Sequence, residues 1–470
     1  MKTTSSRPRL AVSSDGRGVV GHAGSRLLAD LAEATGLETG FVDALAPSRV
    51  RRGVHAPGRV AVDLAVMLAD GGEAISDLSV LREQGELFGK VASDPAAWRV
   101  LDGIDEHALG RLRAARAAAR ELAWAQHAET RGRFPQAAAA GRLIPGLVVD
   151  IDASIVVCHS EKENATPTWK KTFGYHPLLC FLDNTGEALS GLLRPGRAGS
   201  NTAADHIEVL DLAFAQIPDA HRHGTPILVR TDTAGCTHAF LAHIRTLREQ
   251  GVDVRFSVGA PIDEPVREAI RKLPAEAWYP AIEADGQVRD GAEVAELTGL
   301  LYGHTANYPD GTRFLARRER PHPGAQLSLF DTIEGYRHQV IATDTPLGHG
   351  PLTWIEARHR AHARIEDRIR CGKQAGFGRF PSREYAINQA WLEISLTGID
   401  LTAWTKMLLL DGELAHAEPK KLRYRLLHVA ARITTSARRT RLHIASSWPW
   451  AKQIADAFDR LAALPRPLTC

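Results

Sequence analysis

The run IPGLVVDIDASIVVCHS, residues 144–160, decides how the chain is read. It is β-branched and almost continuously apolar, the character of a strand buried on both faces, and only Asp150 and Asp152 interrupt it. Successive strand side chains alternate, so residues two apart share a side and either carboxylate can be the one that matters.

Working outward, YHPLLCFLD (175–183) and EALSGLLRPG (187–196) repeat the strand pattern across the turn Asp183, Asn184, Thr185, Gly186, which predicts three adjacent strands. A helix over about 202–217 follows, then a buried strand PILVRTD ending on Asp232, a helix over 237–250 and the strand VDVRFSVG. Strands in succession followed by alternating helices describe a mixed α/β sheet with acids at strand ends. Residues 260–345 break the alternation with strand-like segments and Gly turns, a β-rich insertion.

The flanks read differently. Residues 1–20 are polar and rich in Gly and Ser, a flexible arm. Residues 21–143 form a helical N-terminal domain: RVAVDLAVMLADGG sets Val60, Leu64, Met67 and Leu68 on one face and stops at Gly71 and Gly72, and 105–130 make a long helix rich in Ala and Arg. This domain is a candidate for binding DNA ends, although it has no clean helix-turn-helix signature. At the other end, 420–450 interleave basic and apolar positions at helical spacing, offering Lys420, Lys421, Arg438 and Arg439 to phosphates within a basic helical region, 401–470.

Composition excludes several classes. The chain has 470 residues, 44% of them hydrophobic, enough to bury a large core. No stretch of ~18 apolar residues is present and MKTTSSRPRL lacks an apolar signal core, so a cytoplasmic protein with no membrane partner is expected. Five widely spaced cysteines with no C-x-x-C pair argue against a zinc ribbon or disulfide framework. Net charge is only +3, yet residues 351–470 carry 20 Lys and Arg against 11 Asp and Glu, a surface for a polyanion.

Within that basic quarter, RHRAHARIEDRIRCGK (358–373) reads as one helix with His359, His362, Glu366 and Lys373 along a single stripe. It is either a solvated face with ion pairs or one wall of a site holding metal and phosphate. The His and Glu spacing lacks the H-E-x-x-H arrangement, against a zinc hydrolase. An acid in the first strand, Asp232 and Glu366 together offer what hard cations need: a few carboxylates, with two ions roughly 3.5–4 Å apart clamping an in-line phosphoryl displacement. Arg194 and Arg197 in RPGRAGSN contact phosphate or belong to a plain surface turn. Trp278 and Tyr279 are either core of the insertion or a platform for an unpaired base.

Five segments in this order, VDIDAS, YHPLLCFLD, GLLRPGRAGSNTAADHIEVL, LVRTDTAGCTHAFL and RIEDRIRCGK, resemble the DDE transposases of bacterial insertion sequences, over roughly residues 55–450. The resemblance implies a ribonuclease-H-like α/β core, here split into 144–259 and 346–400 around the insertion, with C-terminal helices after it. In that family the first acid is followed, one residue intervening, by Ser or Thr, which selects Asp152 with Ser154 over Asp150. The second acid lies in a motif like that at Asp232, and the third in a helix carrying Tyr, Arg, Glu and Lys. This chain keeps Glu366 and Lys373 but has His359 in place of the Tyr and His362 in place of the Arg. The expectation is therefore an insertion-sequence transposase, nucleoid-associated, that binds terminal inverted repeats and target DNA as a dimer in its synaptic complex. Asp152, Asp232 and Glu366 would be its catalytic and metal-binding residues, holding two Mg2+ or Mn2+ ions. Lys373, His359, His362, Arg194, Arg197 and the four C-terminal cations would contact DNA. The rival expectations are an inactive DNA-binding derivative and a stand-alone metal-dependent nuclease.

Overall fold

The computed structural model describes residues 10–48, 55–159, 161–322, 324–437 and 439–466. Its centre is a nine-stranded sheet of β1 (Leu147–Ala153), β2 (Leu178–Leu182), β3 (Ala188–Leu192), β4 (Ile227–Thr231), β5 (Val254–Ala260), β6 (Tyr279–Ile282), β7 (Val288–Glu296), β8 (Arg313–Glu319) and β9 (Arg337–Thr343), in the order β6-β7-β8-β9-β5-β4-β1-β2-β3. β1, β4 and β5 run parallel, and β2 is antiparallel to both β1 and β3. The half 3-2-1-4-5 with an antiparallel second strand is the ribonuclease-H-like arrangement. The insertion strands do not stand apart: β9 pairs antiparallel with β5, and β8, β7 and β6 extend the same sheet.

Seven helices carry the rest of the description: α1 (Pro57–Asp70), α2 (Glu106–Arg131), α3 (Ala203–Phe214), α4 (His238–Glu249), α5 (Leu352–Arg360), α6 (Arg364–Gly372) and α7 (Tyr385–Leu409). Alternation along β1 sorts its two faces. Leu147, Val149 and Ile151 pack with residues of α3 and α4, while Val148 joins Trp354 and Ile355 of α5. Asp150 and Asp152 follow Val148 at the same period, on the face that α5 and α6 cover. Among the described residues no helix is long and apolar enough to cross a membrane.

Three expectations are corrected. The stretch expected to be helical over 420–450 contains a β-hairpin, Ala431–Ser436 with Arg439–Ile444. Its Ile433, Leu442 and Ile444 pack on the core from β-branched, Thr-rich segments that suit a pleated surface better than a helix. The arm is pinned at its end, since Val19 and Val20 pair with Arg432 and Ala431. The single helix over 358–373 is broken by a 3-10 turn at Ala361–Ala363 and passes into a π turn from Lys373.

Beneath α5 lies a buried ion pair. Arg230 of β4 sits opposite Asp150 of β1 in the parallel register and grips it with Nε at 2.7 Å and a terminal nitrogen at 2.8 Å, both side chains being fully buried. Burial pushes the Asp150 carboxyl up, but the charge of Arg230 and the bond to His362 outweigh it and hold the group well below the usual carboxylate range. Replacing Arg230 with Met should cost on the order of 3–5 kcal/mol in urea unfolding near neutral pH, because buried carboxylates lose their counter-charge. Since the folded pKa of Asp150 is depressed, this stabilisation is present above ~4 and is lost as pH falls further. The gap between wild type and R230M should therefore close in acid.

Candidate active site

The parallel register ends at Thr231 opposite Ile151; the next residues are Asp152 of β1 and Asp232, just past β4, and the charge of Asp232 acts on Asp152. Asp232 caps a 3-10 turn, its Oδ1 accepting from the Ala234 N–H at 2.9 Å. Gly259 of β5 lets that turn close down, since a Cβ there would fall 2.8 Å from the Thr233 nitrogen. Glu366 reaches the site from the first turn of α6 and is exposed, as is Asp232.

Asp152 lies electrostatically between the other two. Burial pushes its carboxyl up to about 6, with the negative charges of Asp232 and Glu366 adding to the rise and His362 opposing it. Among the described residues, none of these three acids has a Lys, Arg or His partner within ion-pair distance, whereas the buried acids around them are paired. Three carboxylates without counter-cations, all oxygen donors, have the chemistry a hard divalent ion selects, although their oxygens do not all lie within 4.8 Å of one another.

Asp152 and Glu366 line a cavity of about 820 Å3 whose walls also hold Ser154, Lys170, Lys373 and Arg379. Lys373 is half-buried and donates to the Ile155 carbonyl at 2.8 Å; burial lowers its pKa and Lys170 lowers it further. Lys170 stands at the tip of the turn between the short strands Thr166–Pro167 and Phe173–Tyr175. Neither Lys170 nor Arg379 was legible as a site residue, because nothing local to 166–175 or 378–383 marks them; only the fold brings them to the acids.

The other expected contacts divide. His362 is buried and places Nδ1 2.9 Å from Asp150 Oδ1, so it braces the strand that bears Asp152. His359 contacts Ser257, with Nδ1 3.1 Å from the hydroxyl and 3.2 Å from the carbonyl, and burial, with the nearby His362 and Arg230 charges, pushes its pKa down to about 3. A neutral, enclosed imidazole brings no charge to a phosphate, which corrects the expectation for this residue. Arg194 is corrected likewise: it is buried, pairs with Asp205 at 2.9 Å and donates to the His176 carbonyl. Arg197, Lys420, Lys421 and Arg439 are exposed, and Arg438 lies outside the described residues. Trp278 is buried with the Arg318 guanidinium 4.1 Å from its ring centroid, which makes it core, whereas Tyr279 is exposed.

A ribonuclease-H-like sheet carrying an acid at each of two central strand ends, with a third on a covering helix, defines the class of nucleic-acid phosphoryl-transfer proteins to which DDE enzymes belong. The family described as transposase DDE domain group 1 matches residues 2–466, and the chain belongs to that family. Membership implies use of a divalent metal. No curated protein matches the sequence significantly. Among solved structures, the chain is similar to the piggyBac transposase in a cryo-EM synaptic complex with hairpin DNA, at 11% identity and a TM-score of 0.41, covering 86% of this chain and 80% of that one.

The raised pKa of Asp152 has a consequence for the metal-free protein. Its folded form binds more protons than the unfolded chain between ~4 and about 6, so stability falls as pH rises through that window. Asp152→Asn should remove this fall, making the metal-free variant more stable than wild type at pH 7 by on the order of 1–3 kcal/mol, with no gain below pH ~4. Thermal melts against pH measure it, and added Mg2+ should stabilise wild type but not the variant.

Proposed function

We propose that the chain is the transposase of an insertion sequence, cutting DNA at the ends of its element and joining each freed 3′-OH to target DNA at one site. The observation that carries this reading is Asp152 near the end of β1 with its carboxyl raised by burial and by the charges of Asp232 and Glu366, none of the three having a cation within ion-pair distance among the described residues. Asp152, Asp232 and Glu366 would together hold two Mg2+ ions. Bound there, the ions would supply an activated attacking oxygen and stabilise the leaving one.

The chain's own groups do the rest. Lys170, Lys373 and Arg379 give the cavity a cationic wall against which a DNA phosphate can be held, and the Lys373 bond to the Ile155 carbonyl ties that wall to the end of β1. His362 and Arg230, both bonded to Asp150, fix the strand so that Asp152 does not swing away when its charge is neutralised or released. The helical residues 21–143 would recognise the terminal inverted repeats, and the exposed cations Lys420, Lys421 and Arg439 would follow the DNA backbone, with two chains joining two ends in the synaptic complex.

Asp152→Ala, Asp232→Ala and Glu366→Ala should each abolish both cleavage of end-bearing DNA and transfer of pre-cleaved ends while leaving binding largely intact. Phosphate contacts elsewhere survive the loss of a metal ligand. Full cleavage by any of the three variants would sink the assignment, and cleavage without joining would identify a nuclease instead. Replacing Lys420, Lys421 and Arg439 together by Gln should flatten the plot of log affinity against log salt by up to ~0.9 per phosphate contact removed. An unchanged slope in the folded variant would show that they face only water.

A further inference from the structure

Away from the three acids, among the described residues, one group of side chains has a ligand set for a metal: His22, Asp70 and His428, whose candidate ligand atoms all lie within 4.8 Å of one another. They come from three remote segments: the turn after Val19–Val20, the last residue of α1, and the end of the π turn Arg423–Leu427. His22 Nδ1 is 2.7 Å from Asp70 Oδ2 and His428 Nε2 is 3.2 Å from Asp70 Oδ1. The two imidazole rings are tilted by 43° to each other with centroids 4.2 Å apart.

Several features go beyond a buried carboxylate satisfied by hydrogen bonds. His22 takes a left-handed backbone, φ 52°, unusual for a residue other than glycine, and this turns its ring toward Asp70. The Ser25 hydroxyl donates to Asp70 Oδ1, the outer support that ligating carboxylates ordinarily have. Asp70 is buried, but the two histidines keep about a third of their surface, so an ion with a water in its remaining position has a way in. The bond to Asp70 raises the pKa of His428, outweighing burial and the nearby Arg423 guanidinium. Arg423 also donates to the Ala69 and Gln374 carbonyls, linking the end of α1 to the residue after Lys373.

The geometry points to a zinc-class site made of His22 Nδ1, His428 Nε2 and one oxygen of Asp70, with water in the fourth position. Two imidazoles and one carboxylate select Zn2+, Co2+ or Ni2+ over Mg2+, which prefers all-oxygen surroundings. Bonds of 2.0–2.1 Å in tetrahedral geometry put ligand atoms about 3.3 Å apart. The two histidines now meet different oxygens of Asp70, His22 at 2.7 Å from Oδ2 and His428 at 3.2 Å from Oδ1, so on binding the carboxylate has to turn to present one oxygen to the ion between both rings. On binding, each ligating nitrogen gives up its proton to solvent, and His428 Nε2 releases the Asp70 carbonyl, which it now contacts at 2.8 Å. The ion would staple the N-terminal strand, α1 and the C-terminal region together.

The test uses the full chain carrying Asp152→Asn and Glu366→Gln, stripped with chelator, so that metal held by the catalytic acids is removed from the count. Titration with ZnCl2 should give one ion per chain with micromolar or tighter apparent affinity, undisturbed by millimolar Mg2+. Co2+ should give visible bands of a four-coordinate site. His22→Ala and His428→Ala should each weaken zinc at least about 30-fold, and Ser25→Ala about 10-fold, the scale of lost outer support. Zinc K-edge absorption on the histidine-intact chain should report two imidazoles, a measurement that does not depend on how the alanine variants fold. Absence of stoichiometric zinc, or zinc unaffected by both folded histidine variants, would overturn the assignment without touching the transposase reading.

Discussion

One guanidinium organises the middle of this protein. Arg230 holds Asp150 through two nitrogens, reaches Asp183 at the end of β2 at 2.9 Å, and donates to the Arg358 carbonyl of α5 at 2.7 Å. It thereby joins two parallel strands, the strand beyond them and the helix above. Taking these charges out of water costs about what their attraction returns, so the group is better understood as setting register than as adding net stability. Register is what the site requires: a slip of one residue along β1 would turn Asp152 to the opposite face of the sheet.

A second buried network ties the helical flank to this centre. Arg120 of α2 bonds Glu187 at 2.9 Å and also meets Asp400 of α7, while Arg116 meets Glu393 and lies 3.2 Å from Asp400. Trp124 and Trp404 donate their indole N–H groups to Glu187, and the Ala188 N–H at the start of β3 is taken by Asp400. Helices of the first 130 residues accordingly share one apolar core with α7 and the C-terminal segments. Forces on those helices are passed to the sheet through side chains that cannot part without stranding a buried charge.

The parts of this arrangement that were legible in sequence are those carried by local pattern. β1 to β5 follow from β-branched runs bounded by turn residues, whereas Asp152, Asp232 and Glu366 are picked out by the resemblance of their motifs to the DDE family, local pattern alone leaving Asp150 and Asp152 equivalent. What local pattern cannot show is the partner. Asp150 and His362 are separated by 212 positions, so neither the brace between them nor the shared grip of Arg230 is visible in spacing. Arg194 looked available because its loop is polar, yet it folds inward onto Asp205. The hairpin at 431–444 is not evident from spacing because Arg residues are interspersed with few apolar ones, Ile433, Leu442 and Ile444, in a pattern that selects neither period. Pairing with Val19 and Val20, some 400 residues away, resolves it.

The way charge is distributed then separates scaffold from site. Asp150, Asp183, Glu187 and Asp400 are all buried and all bonded to arginine, so their negative charge is spent inside the fold. Among the described residues Asp152, Asp232 and Glu366 have no such partner, and burial with the charges of the other two raises the Asp152 carboxyl, while Lys170, Lys373 and Arg379 line the same cavity. Left alone, that arrangement destabilises the folded chain. The burial and like charge that raise the Asp152 carboxyl can be relieved by a proton or by a bound cation, whereas the acids paired with arginine are already neutralised within the fold.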